Sequence, residues 1–247
     1  MSGWQQRQFR SASYGFLVSI CLVIGVGAWL SPAQAQINQA TVTEVLDGNQ
    51  VFIQGRQARI NSVAGTGQQI STGDSRAGLR FDNGAAGRLR PNTSLIIGQC
   101  IQIQQGGIIA SGPTNACAGS VRAVTRGTTF LMEVKEEGNI SCTVLEGKVA
   151  MRAIGNPDAT ENPPQNLLEQ QELILEQGNT ISISKDGEIG KPKAITTEEI
   201  VTILNGPLFS EFVQQLPGGG NLLRALQELF PGVALPNLRI PPVRGLF

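Results

Sequence analysis

Four arginines in one short stretch are the residues of this chain best suited to bind an anion. Arg76, Arg80, Arg88 and Arg90 stand at even positions, while positions 77, 79, 81 and 89 are apolar. Because successive residues of a strand point to opposite faces, these arginines should share one outward face of a sheet. Guanidinium groups form paired hydrogen bonds with carboxylates and phosphates, so this face is a candidate anion-binding site.

Two other interpretations of the same arginines stay open. Charged groups on a sheet face are often simply solvated. They can also pair with acids from the rest of the chain, because charge is unevenly distributed along it. Residues 36–130 carry eight arginines and four acids, whereas residues 131–247 carry nine basic and fifteen acidic residues.

The cysteines favour a structural role. Cys100 and Cys117 flank Gln104-Gln105-Gly106-Gly107, which we interpret as a hairpin turn, and they are the candidate disulfide. Cys142 falls on the apolar face of an alternating stretch and is expected to remain a buried thiol. Three sulfurs without a histidine are too few for a metal site, and a thiol nucleophile would lack its base. We therefore expect no metal and no cofactor.

The chain contains no histidine. Histidine is the most frequent general base and metal ligand, and no paired-carboxylate motif replaces it here. The composition therefore favours a protein without catalytic residues over the alternative of a hydrolase. After residue 35 the chain carries 17 basic and 19 acidic residues, since Arg7 and Arg10 precede that point. This near-neutral balance gives no argument for nucleic acid as a partner.

Short alternating stretches separated by glycine turns dominate residues 36–193. Strands of this kind at regular spacing indicate an all-β domain, either an antiparallel sandwich or a β-roll of short strands. The clearest hairpin places Phe130 and Met132 opposite Cys142 and Val144 on one buried face. The predicted strands are Thr41–Leu46, Gln50–Ile53, Arg76–Phe81, Ile101–Ile103, Val121–Thr125, Thr128–Val134, Ile140–Leu145, Lys148–Arg152, Glu172–Leu175 and Thr180–Ser184.

Residues 194–230 have the period of short amphipathic helices. Thr196 or Thr197 can cap the first, a second is predicted over Leu208–Leu216, and a third over Asn221–Phe230. Helices this short need a surface to dock on, which is either the chain's own β domain or a partner. The candidate partner-binding residues are Phe209, Phe212, Leu222, Leu226 and Leu229. A Pro-rich tail, 231–247, follows.

Several blocks of the β region, taken in order, resemble the FecR domain. Gln69–Gly84 is similar to the family's "T…S-R-A-x-L-x-F-x-D/N-G" block, and Arg88–Leu95 to its "L-x-P-x-S/T-x-L" segment. Thr125–Phe130 matches "T-x-x-G/A-T-x-F", Val144–Val149 is close to "V-L-E-G-x-V", and Leu173–Gly178 is a degenerate "L-x-x-G-Q" step. The resemblance implies an exported sensor domain without catalytic residues.

The N-terminus has the composition of a secretory signal peptide. Arg7 and Arg10 precede an apolar run from Tyr14 to Leu30, and Ala33-Gln34-Ala35 supplies a cleavage site, so residues 1–35 are expected to be removed. FecR regulators also carry a cytoplasmic segment that binds a sigma factor, whereas few residues precede the apolar run here. The resemblance therefore concerns the exported half of the family.

The sequence thus predicts a non-enzymatic binding or signal-sensing module of the cell envelope, of FecR type. The alternative is a structural or assembly protein of the envelope that acts through its C-terminal helices. The expected location is periplasmic or extracellular, or at the inner membrane if the signal peptide stays uncleaved. The expected partner is an envelope protein or an anionic envelope ligand, with no nucleic acid, and with membrane contact only through an uncleaved signal peptide.

The Ala33-Gln34-Ala35 site predicts a mature chain that begins at Gln36. N-terminal sequencing and intact mass of the protein from an envelope fraction check this. Recovery of the full-length chain in the membrane would show an anchor instead.

Overall fold

The computed structural model describes residues 36–235 except 136, 155–171, 186, 214 and 234. The predicted signal peptide and most of the Pro-rich tail lie outside these residues. In chain order the strands are β1 (Gln39–Leu46), β2 (Val51–Ile53), β3 (Arg56–Gln57), β4 (Val63–Gly65), β5 (Gln69–Thr72), β6 (Arg76–Phe81), β7 (Ala86–Leu89), β8 (Ser94–Ile96), β9 (Ile101–Gly112), β10 (Asn115–Ala118), β11 (Val121–Thr125), β12 (Thr128–Val134), β13 (Ile140–Glu146), β14 (Lys148–Ala153), β15 (Leu173–Glu176), β16 (Asn179–Ile183) and β17 (Lys193–Ala194). The helices are α1 (Thr197–Leu204) and α2 (Gly219–Leu229).

The strands form two sheets, which confirms the predicted all-β class with short C-terminal helices. The front sheet has the order β4-β1-β6-β7-β9-β12-β13-β16-β17. The back sheet has the order β3-β2-β5-β8-β9-β10-β11-β14-β15. Among the strands described, the β9–β10 pair is parallel and every other pair is antiparallel.

The long strand β9 belongs to both sheets. Its first half pairs with β8 and β10 in the back sheet, and its second half, from Gly106 onward, pairs with β12 in the front sheet. The predicted hairpin turn at Gln104-Gln105-Gly106-Gly107 is therefore wrong. The two glycines let one continuous strand bend from one sheet into the other, which is a usual role of glycine inside a strand.

The main core fills the space between the two sheets. Phe130, Met132, Cys142 and Val144 all point into it and are fully buried, as the hairpin pattern predicts. Met132 lies opposite Cys142, and Phe130 lies opposite Val144. The turn between β13 and β14 depends on Gly147, whose φ is +84°. A Cβ there would come within 2.9 Å of Thr128 Oγ1, so the "L-E-G" turn needs glycine for space as well as for conformation.

The C-terminal segment contains two helices where the sequence predicts three. Thr196 caps α1 in a capping box, in which its Oγ1 accepts from Glu199 N at 3.1 Å and its N–H donates to Glu199 Oε2 at 3.0 Å. The helix predicted over Leu208–Leu216 does not form, because side chains of the front sheet bind its backbone groups and Glu211 takes a φ of +66°. Within the described ranges, no helix is long and apolar enough to cross a bilayer.

Two of the cysteines lie beside the parallel strand pair, and the third lies in the front sheet. Cys100 precedes β9 and Cys117 lies in β10, and the two are joined by a disulfide. Cys142 is a buried thiol of β13. Burial raises the pKa of the Cys142 thiol to about 12, so it is protonated and unreactive at neutral pH.

We predict that non-reducing peptide mapping finds the Cys100–Cys117 linkage, with Cys142 alkylated only after unfolding. Replacing both linked cysteines by serine should lower the free energy of unfolding by about 3 kcal/mol, because a cross-link restricts the unfolded chain. A linkage that involves Cys142 would contradict both the pairing and the burial of that thiol.

Candidate functional site

Part of the outer face of the front sheet is covered by the chain's own C-terminal segment. We call residues 205–217, which join α1 to α2, the strap. A second apolar cluster lies under the strap and the helices, separate from the core between the sheets. Its members are Ala86, Ile109, Leu131 and Leu145 from the sheet, and Ile195, Ile200, Leu204, Leu208, Phe209, Leu216, Leu222 and Leu226 from the C-terminal segment.

The helix residues proposed to bind a partner are used inside this chain. Phe209, Leu222 and Leu226 are buried in the second cluster, and Leu229 is half-buried. A Cβ added to Gly178 would come within 3.1 Å of the Leu229 Cδ atoms, so this leucine lies against the turn before β16. The apolar stripes dock on the front sheet, which is the first of the two docking surfaces that the sequence leaves open.

Arg76 is the most heavily bonded side chain of this face. Its side chain is 5% exposed and forms ion pairs with Asp47 and with Glu211, the latter at 2.6 Å. Its Nη1 donates to the carbonyl oxygens of Pro207 and Ser210, each at 2.8 Å. One guanidinium group from β6 therefore holds a carboxylate after β1 and the backbone of the strap.

Arg88 lies beside Arg76 under the same strap. Its Nη1 donates to the Leu208 carbonyl oxygen at 3.1 Å, and its guanidinium lies 4.5 Å from the ring centroid of Phe212. Arg76 lies 5.6 Å from the same ring, so Phe212 makes cation–π contacts with both. Burial lowers the pKa of Arg88 to about 10, and the charge of Glu44 opposes that shift. Arg88 is therefore still charged at neutral pH.

Glu44 and Ser111 extend the contacts between sheet and strap. Glu44 Oε1 accepts from the backbone N–H of Val213 at 2.8 Å, and Ser111 Oγ donates to the Pro217 carbonyl oxygen at 2.5 Å. Together with the two arginines, these side chains fix both ends and the middle of the strap. Strand alternation places all four on one face, but the sequence does not show that residues more than a hundred positions away cover it.

The predicted face of four exposed arginines is wrong for half of its members. All four point to the outer side of the front sheet, yet Arg76 and Arg88 are buried there, whereas Arg80 and Arg90 are exposed. Arg90 pairs with Glu133 at 2.6 Å. Two of the four arginines thus pair with acids from the second half of the chain: Arg76 with Glu211, and Arg90 with Glu133.

Among the residues described, no group of His, Cys, Asp and Glu could hold a metal ion.

No protein-family model matches the chain, and no curated protein does. Two crystal structures of a "putative anti-sigma factor from Parabacteroides distasonis ATCC 8503" align with it at 13% identity and a TM-score of 0.43. One alignment covers 68% of this chain and 80% of that chain, and the other covers 70% and 82%. Similarity at this level assigns neither a family nor a function.

We predict that Arg76→Ala lowers the free energy of unfolding by about 2 kcal/mol, because it removes charged donors from the carbonyl groups of Pro207 and Ser210. Urea unfolding followed by circular dichroism measures this. Arg80→Ala is the matched control, since Arg80 is an exposed residue of the same strand. Equal losses in the two variants would contradict a special role of Arg76.

Acid should weaken the ion pair between Arg76 and Asp47. The hydrogen bond from Arg76 holds the pKa of Asp47 below its usual range. A folded-state pKa below the unfolded value, about 3.9, means that this contact stabilises the fold above that pH and is lost as the pH falls through the folded value. We expect Asp47→Asn to show a smaller drop of Tm between pH 6 and pH 3 than the native chain, measured by calorimetry. Asp74→Asn, at an exposed carboxylate, should keep the native drop.

Proposed function

We propose that this protein is an exported, non-enzymatic binding and signal-sensing module of the bacterial cell envelope, of FecR type. The assignment to the FecR type is supported by the sequence blocks that resemble the FecR domain and follow the same order along the chain. They fall on β5–β6, on the end of β7 through β8, on the entry to β12, and on the β13–β14 turn. These elements belong to both sheets. The N-terminal signal pattern supports export.

The observation that carries the proposal is that the strap is docked outside the core between the sheets. None of the described strap residues, 205–213 and 215–217, belongs to the core between the sheets, whereas Leu208, Phe209 and Leu216 belong to the second cluster. The strap can therefore leave the front sheet without opening the core of the sandwich. An element that is docked on the outside of a stable domain is suited to relay a signal, because it can change position without unfolding of the core.

The uncovered face would have a definite chemistry. It would present the guanidinium groups of Arg76 and Arg88, whose present partners in the strap are Pro207, Leu208 and Ser210. A partner segment that carries a carboxylate and an aromatic ring would satisfy it, since Glu211 and Phe212 of the strap do so now. We propose an envelope protein with such a segment as the partner, in competition with the strap.

Site-specific photo-crosslinking in cells tests this proposal. The probe is placed at Val213, an apolar strap residue that is 67% exposed, and the control probe at Ile60, which is 57% exposed and lies between β3 and β4. We expect a discrete adduct with one envelope protein from position 213 and none from position 60. Arg76→Ala should lower its yield, because it removes a guanidinium group that would bind the partner's carboxylate. No adduct at position 213, or the same adducts at both positions, would contradict the proposal.

A further inference from the structure

An open cleft lies at the place where β9 bends from one sheet into the other. Its volume is about 520 Å³, within the usual range for a small-molecule site. The polar part of its lining comes from three places: the loop after β7, the bend of β9, and the end of β12. The residues that matter are Arg90, Asn92, Gln105, Glu133 and Lys135, with Pro207 of the strap at the rim.

The backbone holds the floor of this cleft in one arrangement. Gly106 has a φ of +79°, and a Cβ on it would come within 2.6 Å of the Asn92 carbonyl oxygen. Thr93 Oγ1 bonds Gly107 twice, accepting from its N–H at 3.1 Å and donating to its carbonyl oxygen at 3.2 Å. The loop after β7 is thereby tied to the bend of β9. A fixed floor reduces the ordering cost of binding.

The side chains around this floor supply hydrogen-bond donors with unused capacity. Arg90 uses Nη1 for Glu133 Oε1 at 2.6 Å, and the rest of its guanidinium has no acceptor among the described residues. Lys135, Asn92 and Gln105 are exposed, and their side chains likewise bond to no other described residue. Two cations and two amides thus line the cleft with one carboxylate, Glu133, so the described lining residues carry a net positive charge.

We propose that this cleft binds a small solute that carries a carboxylate, the size of a tripeptide or an acidic disaccharide. The carboxylate would accept from the unused edge of Arg90 and from Lys135, and the amides of Asn92 and Gln105 would bond the rest of the solute. The proposal names the class of ligand that the sensing module takes, and in that sense rests on the proposed function.

Pro207 gives this site a physical connection to the strap. Its ring borders the cleft, and its carbonyl oxygen accepts from Arg76 Nη1 at 2.8 Å. A solute in the cleft contacts the first part of the strap in its docked position. Binding therefore favours the docked strap, and by linkage the docked strap favours binding.

Calorimetric titration of the mature chain tests the site. The probes are N-acetyl-Ala-Ala-Ala with a free C-terminal carboxylate and digalacturonate, each against its neutral counterpart, the peptide amide and the dimethyl ester. We expect one acid probe or both to bind, and the neutral forms to bind about tenfold more weakly or not at all. The probe that binds identifies the source of the carboxylate as peptide or sugar.

Variants locate the binding. Lys135→Ala and Arg90→Ala should each weaken the acid probe about tenfold, whereas Lys148→Ala, at an exposed lysine paired with Glu176, should leave it unchanged. Glu133→Gln should tighten binding several-fold, because it removes the competing carboxylate from Arg90. No binding by either acid, equal binding of the neutral forms, or insensitivity to Lys135 and Glu133 would overturn the proposal. These outcomes are independent of crosslinking at Val213.

Discussion

Arg76 and Arg88 lie on the outer face of the front sheet, with almost no exposed surface. A buried guanidinium group must keep its charge neutralised and its donors bonded, because an unpaired buried charge is strongly destabilising. The strap meets this requirement with three carbonyl oxygens, the carboxylate of Glu211 and the ring of Phe212. The same contacts prevent the strap from becoming a helix, since its carbonyl groups bond the arginines instead.

The covered face explains the composition of the central strands. β9 and β12 are apolar on both faces around Ile108-Ile109-Ala110 and Phe130-Leu131-Met132. Their inward-pointing residues lie in the core between the sheets, whereas Ile109 and Leu131 belong to the second cluster beneath the helices. The inward-pointing residues are Ile108, Ala110, Phe130 and Met132. The front sheet is thus a middle layer, and the C-terminal segment is part of the folded protein while remaining separate from the main core.

Much of the fold follows from local patterns in the sequence. Alternation and glycine turns predict β6, β11 and β12 with their observed bounds, and a cap at Thr196 or Thr197 predicts the start of α1 to within one residue. The candidate site is harder to predict, because it depends on contacts between distant parts of the chain. Glu211 and Arg76 are 135 positions apart, and no local pattern pairs them. The glycines of β9 indicate a turn when taken alone, and only pairing on both sides shows that the strand continues.

The central claim is that the strap is docked by the two arginines and can leave while the sandwich stays folded. Native-state hydrogen exchange of the mature chain, read by mass spectrometry, tests it most directly. The amide of Val213, which donates to Glu44, should exchange through an opening of lower free energy than the amides paired between β12 and β13. Arg76→Ala should speed hydrogen exchange of the Val213 amide and leave the amides paired between β12 and β13 protected. Exchange of the strap and of the β12–β13 pair in a single step, in both proteins, would contradict the account.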